Sequence, residues 1–266
     1  MPLTRTMRAA DYAYFDAPFL AFAHRGGATY PPNVGRENTL HAFTEAAKLG
    51  YRYFETDVHA TTDGVLVAFH DDRLDRVTDR TGLIGALPYR EVAAAKIGGL
   101  DPIPTFTELL EEFPDVRFNV DAKSDAAVPL LAEAIARHGA GGRVCVSSFG
   151  TSRLHRLRRL LGPETPTAAS QAGIAWNRFA PRLTTMINTA GAALQLPVRH
   201  RVAGRDLQVL TEGLVRAVHR AGKQVHVWTV DDAAEMERLI DLGVDGIFTD
   251  RIDILSDVLN RRGLWT

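Results

Sequence analysis

Residues 224–250 read QVHVWTVDDAAEMERLIDLGVDGIFTD. VHVWT at 225–229 is an apolar, β-branched run of strand length, and DGIFT at 245–249 is another. Between them Met236, Leu239 and Ile240 recur at helical spacing, and Gly243 stands where such a helix would stop. Strand, helix and strand in that order make the unit of a parallel sheet covered by helices. The same glycine-ended junction recurs along the chain. Leu40, Phe43, Ala46 and Ala47 precede Gly50; Val128, Leu131 and Ile135 precede Gly139; Leu214, Val215 and Val218 precede Gly222. Further strand runs lie at 19–24, 53–58, 116–121, 143–147 and 193–197, with a weak one at 166–169. Eight strands alternating with helices in 266 residues predict an α/β chain folded as a (β/α)8 TIM barrel, one domain over 1–266. An open, doubly wound sheet is the alternative that periodicity alone leaves standing.

One stretch departs from the alternation. After 53–58 come Thr61, Thr62, Asp63 and Gly64, then VLVAFH at 65–70. Asp-Gly between two β-like runs predicts a hairpin, which would return His70 to the level of Glu55. The excursion over about 59–104, with a short helix near 88–95, follows a strand and so belongs on the carboxyl face, where barrels carry their active sites. Thr105 and Glu108 have capping-box spacing ahead of the next helix.

Composition narrows the functions open to such a barrel. With 31 basic and 32 acidic residues the formal net charge is −1, so there is no whole-molecule attraction to nucleic acid. One cysteine, Cys145, excludes a disulfide framework and a cysteine-rich zinc site, and its apolar neighbours predict a buried, inert thiol. No run reaches the 18 apolar residues of a membrane span, so stable membrane insertion is not expected. The first residues carry scattered charges and no apolar leader core, which makes a cytoplasmic location the expectation. Nothing in the sequence specifies an oligomer.

Polar residues gather at the strand ends. His24, Arg25 and Gly26 close the first strand, Glu55 and Asp57 the second, and Asp121 and Lys123 the third. Residues two apart in a strand share a face, so Glu55 and Asp57 make one acidic surface beside Asp121 and Lys123. Three carboxylates in one crowded end repel unless neutralised. A hard divalent cation, Mg²⁺ or Ca²⁺, does this with oxygen ligands. A purely structural cluster with Arg25 and Lys123 is the competing reading. His24 and His70, one from a strand end and one from a hairpin, form a candidate acid–base pair, since histidine titrates near neutrality. Arg25 and Lys123 are suited to phosphate oxygens.

In this order the motifs resemble the glycerophosphodiester phosphodiesterase family. They are HRG at 24–26, REN-T at 36–39, E-x-D at 55–57, FHD at 69–71, D-x-K at 121–123, SSF at 147–149, VWTV at 227–230 and GVDGIFTD at 243–250. The resemblance spans about 19–258. It implies a TIM barrel with a small insertion after the second strand, and metal-dependent hydrolysis of glycerophosphodiesters to glycerol 3-phosphate and an alcohol. It also implies His24 and His70 as the acid–base pair and Glu55, Asp57 and Asp121 as metal ligands. Two departures stand out. Asp121 replaces the family's usual glutamate and reaches one methylene less far. Asn33, Val34, Gly35 and Arg36 lengthen the loop before Glu37, Asn38 and Thr39, and Arg36 reads as a solvated loop residue.

Several further residues are read with the site. Glu37 is placed to support Arg25 or a histidine, and Asn38 stands beside it. Trp228 and Phe149 are candidates to bound the glycerol pocket, with His226 on the same strand face as Trp228. His59 is expected near solvent, as are Arg153, Arg156, Arg158 and Arg159 on a helix face, while Arg199, His200, Arg201 and Arg205, in the loop after the sixth strand, read equally as an attraction for an anionic head group or as a polar surface loop. Two other readings compete: a lysophospholipase D-like enzyme, which no long apolar loop supports, and a non-catalytic phosphate-ester-binding barrel. Retention of both histidines argues against the second.

Overall fold

The computed structural model describes residues 8–179, 190–202 and 205–265. In chain order the main elements are β1 (Leu20–His24), α1 (Leu40–Lys48), β2 (Tyr53–Ala60), β3 (Leu66–Ala68) and α2 (Phe106–Glu112). They continue with β4 (Arg117–Ala122), α3 (Ala127–Arg137), β5 (Val144–Ser147), α4 (Thr151–Leu160) and α5 (Gln171–Phe179). The last are β6 (Ala193–Leu196), α6 (Glu212–Arg220), β7 (Gln224–Val227), α7 (Ala233–Leu242), β8 (Gly246–Thr249) and α8 (Ile252–Arg261). Strands β5, β4, β2, β1, β8, β7 and β6 lie side by side in that order, all parallel. The ring closes through the weak run at 166–169. Thr167 bridges Val146 of β5, and Ala168 bridges Ala193 of β6. The TIM barrel read from periodicity is therefore the fold, with its fifth position reduced to two bridging residues.

Arg158 pins that short position. Its guanidinium donates to Thr167 Oγ1 at 2.9 Å and to the Ala168 carbonyl at 2.7 Å. The expectation of a solvated arginine face fails here, because too few backbone bonds hold residues 167–168 and a side chain from α4 supplies the rest. Arg153 likewise donates to Asp125 and to the Ala122 carbonyl. The side chains of Arg201 and Arg205 lie outside the described residues, while Arg199 and His200 are exposed, on a short antiparallel pair of strands (Arg199–Val202 with Arg205–Gln208) where a loop is expected from sequence.

Alternation along the strands sorts the apolar residues into two layers. Phe54, Val58, Phe118, Val120, Val144 and Val146 face outward against the helices. Leu20, Phe22, Tyr53, Cys145, Ala193 and Phe248 face the barrel axis, where the Phe22 and Phe248 rings stack at 4.1 Å. Tyr14 and Phe15, from a short 3₁₀ turn before β1, plug the amino-terminal end, and Tyr53 donates to the Tyr14 carbonyl at 2.8 Å. His226 belongs to this apolar floor; burial drives its pKa down to about 3, so it remains neutral. Cys145 is fully buried and its thiol is pushed up by desolvation, as its neighbours implied. With the lower barrel filled, polar strand ends are left at the carboxyl mouth.

β3 pairs antiparallel with β2, Ala68 opposite Val58, and Phe69 donates its amide to the Asp57 carbonyl. This is the hairpin that Asp63-Gly64 foretold. The ladder ends at Ala68, and beyond it the His70 carbonyl lies 3.2 Å from His59 Nε2. Val67, Phe69, Leu74, Ile84, Val92, Ile97 and Ile103 bury one another in a small separate core that holds the excursion rigid. α2 starts with the expected capping box: Thr105 Oγ1 accepts from the Glu108 amide, and the Glu108 carboxylate accepts from the Thr105 amide. At the mouth, Gly26 turns the chain from β1 with φ of +84°, and a Cβ there would lie 2.7 Å from Ala42 Cβ and 3.0 Å from the Ala42 carbonyl carbon. Because both the dihedral and the backbone contact forbid a side chain, Gly26→Ala is expected to cost about 2–4 kcal/mol. A urea unfolding midpoint matching wild type would contradict that account of the turn.

Candidate active site

The carboxyl mouth gathers the predicted residues from the ends of five strands, the turn after β1 and the hairpin. β1 ends in His24, whose Nδ1–H donates to Asp250 Oδ1 at 2.8 Å, while its Nε2 lies 3.8 Å from Glu55 Oε2. Burial alone would disfavour the charged ring. Glu55 and the bond to Asp250 outweigh it, so the His24 pKa is raised. Arg25 follows with φ of +51° and Asn38 with φ of +58°, two left-handed non-glycine residues joined by a 2.9 Å bond from the Asn38 amide to the Arg25 carbonyl. Such backbone costs on the order of 1–3 kcal/mol per residue and persists where surroundings fix it. Here Asn33, in the lengthened loop, is buried and donates to the Gly26 and Ala42 carbonyls.

Asp57 lies at the centre. Lys123 Nζ donates to Asp57 Oδ1 at 2.8 Å and to Asp121 Oδ2 at 2.7 Å. Arg25 Nε stands 3.5 Å from Asp57 Oδ2, to which Asn38 Nδ2 also donates weakly at 3.4 Å. Burial opposes ionisation of Asp57, but Lys123 and Arg25 overcome it and hold its carboxyl low. Asp121 shares the same ammonium and yet is raised: burial leads, the nearby Asp57 charge adds to it, and Lys123 only partly offsets both. Its Oδ1 is buried without a partner. Glu55 is pushed up to about 7, by burial first and then by Asp57.

The hairpin supplies the other half. His70 Nδ1–H donates to Asp71 Oδ1 at 2.6 Å. Arg76 clamps two carboxylates, donating to Asp71 Oδ2 at 2.6 Å and to Glu37 at 2.9 and 2.7 Å. Glu37 also accepts from Arg25 Nη1 at 3.2 Å. Although burial raises the Glu37 carboxyl, Arg76 and Arg25 bring it below its usual range. Asp71 falls to about 2, chiefly through its bond from Arg76. One chain of charge-assisted bonds thus runs from His70 through Asp71, Arg76 and Glu37 to Arg25.

Phe149 and Trp228 meet edge to face at 5.9 Å on the opposite rim, with Lys123 Nζ 5.5 Å from the Phe149 ring centre. Both lie at the rim of the mouth. Two expectations need correction. His59 is buried, not solvated, and donates from Nε2 to the His70 carbonyl at 3.2 Å, because the β3 return covers it. Arg36 is no free loop residue: its guanidinium forks onto Asp101. Sequence reading also gave no role to Asp250, Asp71 or Arg76. The first two stood inside quoted motifs, GVDGIFTD and FHD, while Arg76 lies in the excursion with no local signal.

As they stand, no three His, Cys, Asp or Glu side chains among the described residues close on a single point that could hold an ion. Lys123 fills the space between Asp57 and Asp121. The donor chemistry nevertheless suits a hard cation: all candidate donors are carboxylate oxygens, two carboxyls are raised by burial and by the neighbouring Asp57 charge, and Asp121 Oδ1 is orphaned.

The glycerophosphoryl diester phosphodiesterase family model matches residues 24–254. The chain belongs to that family. It is 42% identical over 258 residues to a Mycobacterium tuberculosis protein named "Probable glycerophosphodiester phosphodiesterase 2", covering 92% of each chain. It is 29% identical to the glycerophosphodiester phosphodiesterase of Bacillus subtilis, over 90% of this chain and 86% of that one. Among solved structures, an Oleispira antarctica phosphodiesterase in complex with the product sn-glycerol-3-phosphate superposes with a TM-score of 0.74 at 25% identity, covering 93% of this chain and 99% of that one.

The family member's first histidine is tuned by Asp250, and this has a measurable consequence. A raised folded pKa means that the His24–Asp250 pair stabilises fully below about pH 6.5 and loses that contribution as pH rises through the folded value. Asp250→Asn should destabilise the protein more at pH 5.5 than at pH 8, and should move the histidine limb of the pH–rate profile to lower pH. An unmoved limb would show that Asp250 does not set the His24 charge.

Proposed function

We propose that the protein hydrolyses glycerophosphodiesters to sn-glycerol 3-phosphate and an alcohol. The observation that carries this reading is the placement of His24 and His70, each oriented by its own aspartate, around the Arg25–Asp57–Lys123–Asp121 cluster at the barrel mouth. The relatives named for this activity and the relative holding sn-glycerol-3-phosphate support it.

Arg25 and Lys123 attract the phosphodiester anion and place its phosphorus between the histidines. His24, whose pKa is raised by Glu55 and Asp250, is suited to donate its Nε2 proton to the leaving alkoxide. His70 takes the proton of the attacking hydroxyl at Nε2, its Nδ1–H being committed to Asp71. Arg76 keeps Asp71 ionised, which fixes that tautomer and ring orientation. Glu55, Asp57 and Asp121 would hold a divalent cation, Mg²⁺ or Ca²⁺, through their carboxylate oxygens, Asp121 by its free Oδ1. Bound there, the ion would supply positive charge to the phosphoryl oxygens.

Two outcomes test this. His24→Ala and His70→Ala should each lower kcat on glycerophosphocholine by about 10²–10⁴-fold, the usual scale of acid–base catalysis. Activity within a few-fold of wild type in either variant removes that histidine from the mechanism. Exhaustive chelation should abolish turnover and Mg²⁺ or Ca²⁺ restore it, with Asp121→Asn needing more metal for half-maximal rate. Full activity after chelation, with no metal by elemental analysis, would leave the cluster of Lys123 and Arg25 with the carboxylates as the whole site.

A further inference from the structure

Beside Asp121 the barrel mouth opens into a cavity of about 300 Å³, which Phe149, Trp228 and Gln195 also line. Much of its polar wall is already committed. Ser147 and Ser148 give their hydroxyl protons to the Val120 and Ala122 carbonyls, and Arg178 Nε donates to the Gln208 carbonyl. Gln195 differs. It stands two residues beyond Ala193 on β6, on the same side of the strand, and so faces the barrel axis. Its Nε2 donates to Asn119 Oδ1 at 2.6 Å, a bond that crosses the axis between β6 and β4, which are not neighbouring strands. Asn119 is buried, with Glu55 beside it on β2 and Cys145 beside it on β5. The carboxamide of Gln195 is thereby fixed through its nitrogen. Its Oε1 has no partner among the described residues and is open to the cavity.

We infer that Gln195 is a specificity-determining residue that accepts a hydrogen bond from the terminal hydroxyl of the substrate's glycerol, with Asn119 as the residue that positions it. This rests on the activity proposed above and deepens it. A carbonyl oxygen requires a donor. The ionised phosphodiester is acceptor-only, and a quaternary ammonium head has no N–H or O–H to offer. The glycerol carries two hydroxyls. The middle one is attached next to the phosphate ester, close to the reacting atoms. Neither His24 nor His70 lines the cavity, so the hydroxyl that enters it is the terminal one, farthest from phosphorus. A substrate lacking that hydroxyl leaves a desolvated carbonyl unpaired, and the site discriminates against it.

The test compares glycerophosphocholine with 2-hydroxypropyl phosphocholine, which keeps the middle hydroxyl and lacks the terminal one. Esterified choline has no hydroxyl, so the difference is confined to the glycerol half. The wild-type enzyme should prefer glycerophosphocholine by about three- to tenfold in kcat/KM, the ratio that one neutral hydrogen bond supplies. Gln195→Met, close in size but without the carbonyl, should bring the two substrates to nearly equal kcat/KM. Asn119→Ala, which releases the carboxamide, should shrink the preference as well. Both substrates meet the same folded fraction of enzyme, so their ratio does not respond to a mere loss of stability. Inhibition of the wild-type enzyme by sn-glycerol 3-phosphate and by 2-hydroxypropyl phosphate needs no variant to fold and should show the same gap. Equal kcat/KM for the two substrates in the wild type, or a preference that survives Gln195→Met, overturns this inference alone. A full preference in Asn119→Ala removes Asn119 from its positioning role. If neither substrate is hydrolysed, the proposed activity fails with it.

Discussion

The mouth of the barrel depends on one ammonium group. Lys123 Nζ sits within 2.8 Å of both Asp57 and Asp121, and it lets two carboxylates from adjacent strands occupy a site almost closed to water. In-register pairing puts Asp57 directly beside Asp121, so the fold itself creates the repulsion. A buried charge left without a partner costs several kcal/mol, which makes such a cluster intolerable unless cations accompany it. Arg25 is the second cation, and it is held in a left-handed backbone to reach Asp57. The compensation is uneven. Asp57 has two cationic neighbours and stays ionised, while Glu55 and Asp121 rise.

Around this centre the hairpin after β2 acts as a positioning arm. It has its own apolar core, independent of the barrel layers, so His70 is carried by a rigid unit and not by a loose loop. Arg76 then links that unit to the β1 turn through Glu37. Charge-assisted, bidentate bonds of this type carry directional information as well as energy. The arrangement ties the orientation of His70 to that of Arg25.

The other side of the mouth is built differently. Past Phe149 and Trp228 the walls are largely apolar, and the elements there are joined by fewer ladder bonds: the fifth barrel position contributes only Thr167 and Ala168. A short strand leaves room between its neighbours, and Arg158 replaces the missing backbone contacts from outside. Ionic groups on the β1–β2 side and a largely apolar space on the β5–β7 side give the mouth two unlike halves.

The sequence by itself determined the barrel, the hairpin and most of the site. Strand and helix periods are local, Asp63-Gly64 is a local turn signal, and strand ends in a parallel barrel all open on one face. His24, Glu55, Asp57, Asp121 and Lys123 could therefore be placed together from pattern alone. The motif resemblance added the roles. Only the tertiary structure decided who pairs with whom. Asp250 on His24, Arg76 between Asp71 and Glu37, His59 beneath His70 and Arg158 on the fifth strand position join residues remote in sequence or set apart by turns. Side-chain pairing of that kind has no period to read. The cavity was equally illegible, because an apolar residue lining a void and one filling a core look the same until neighbouring elements are packed around them.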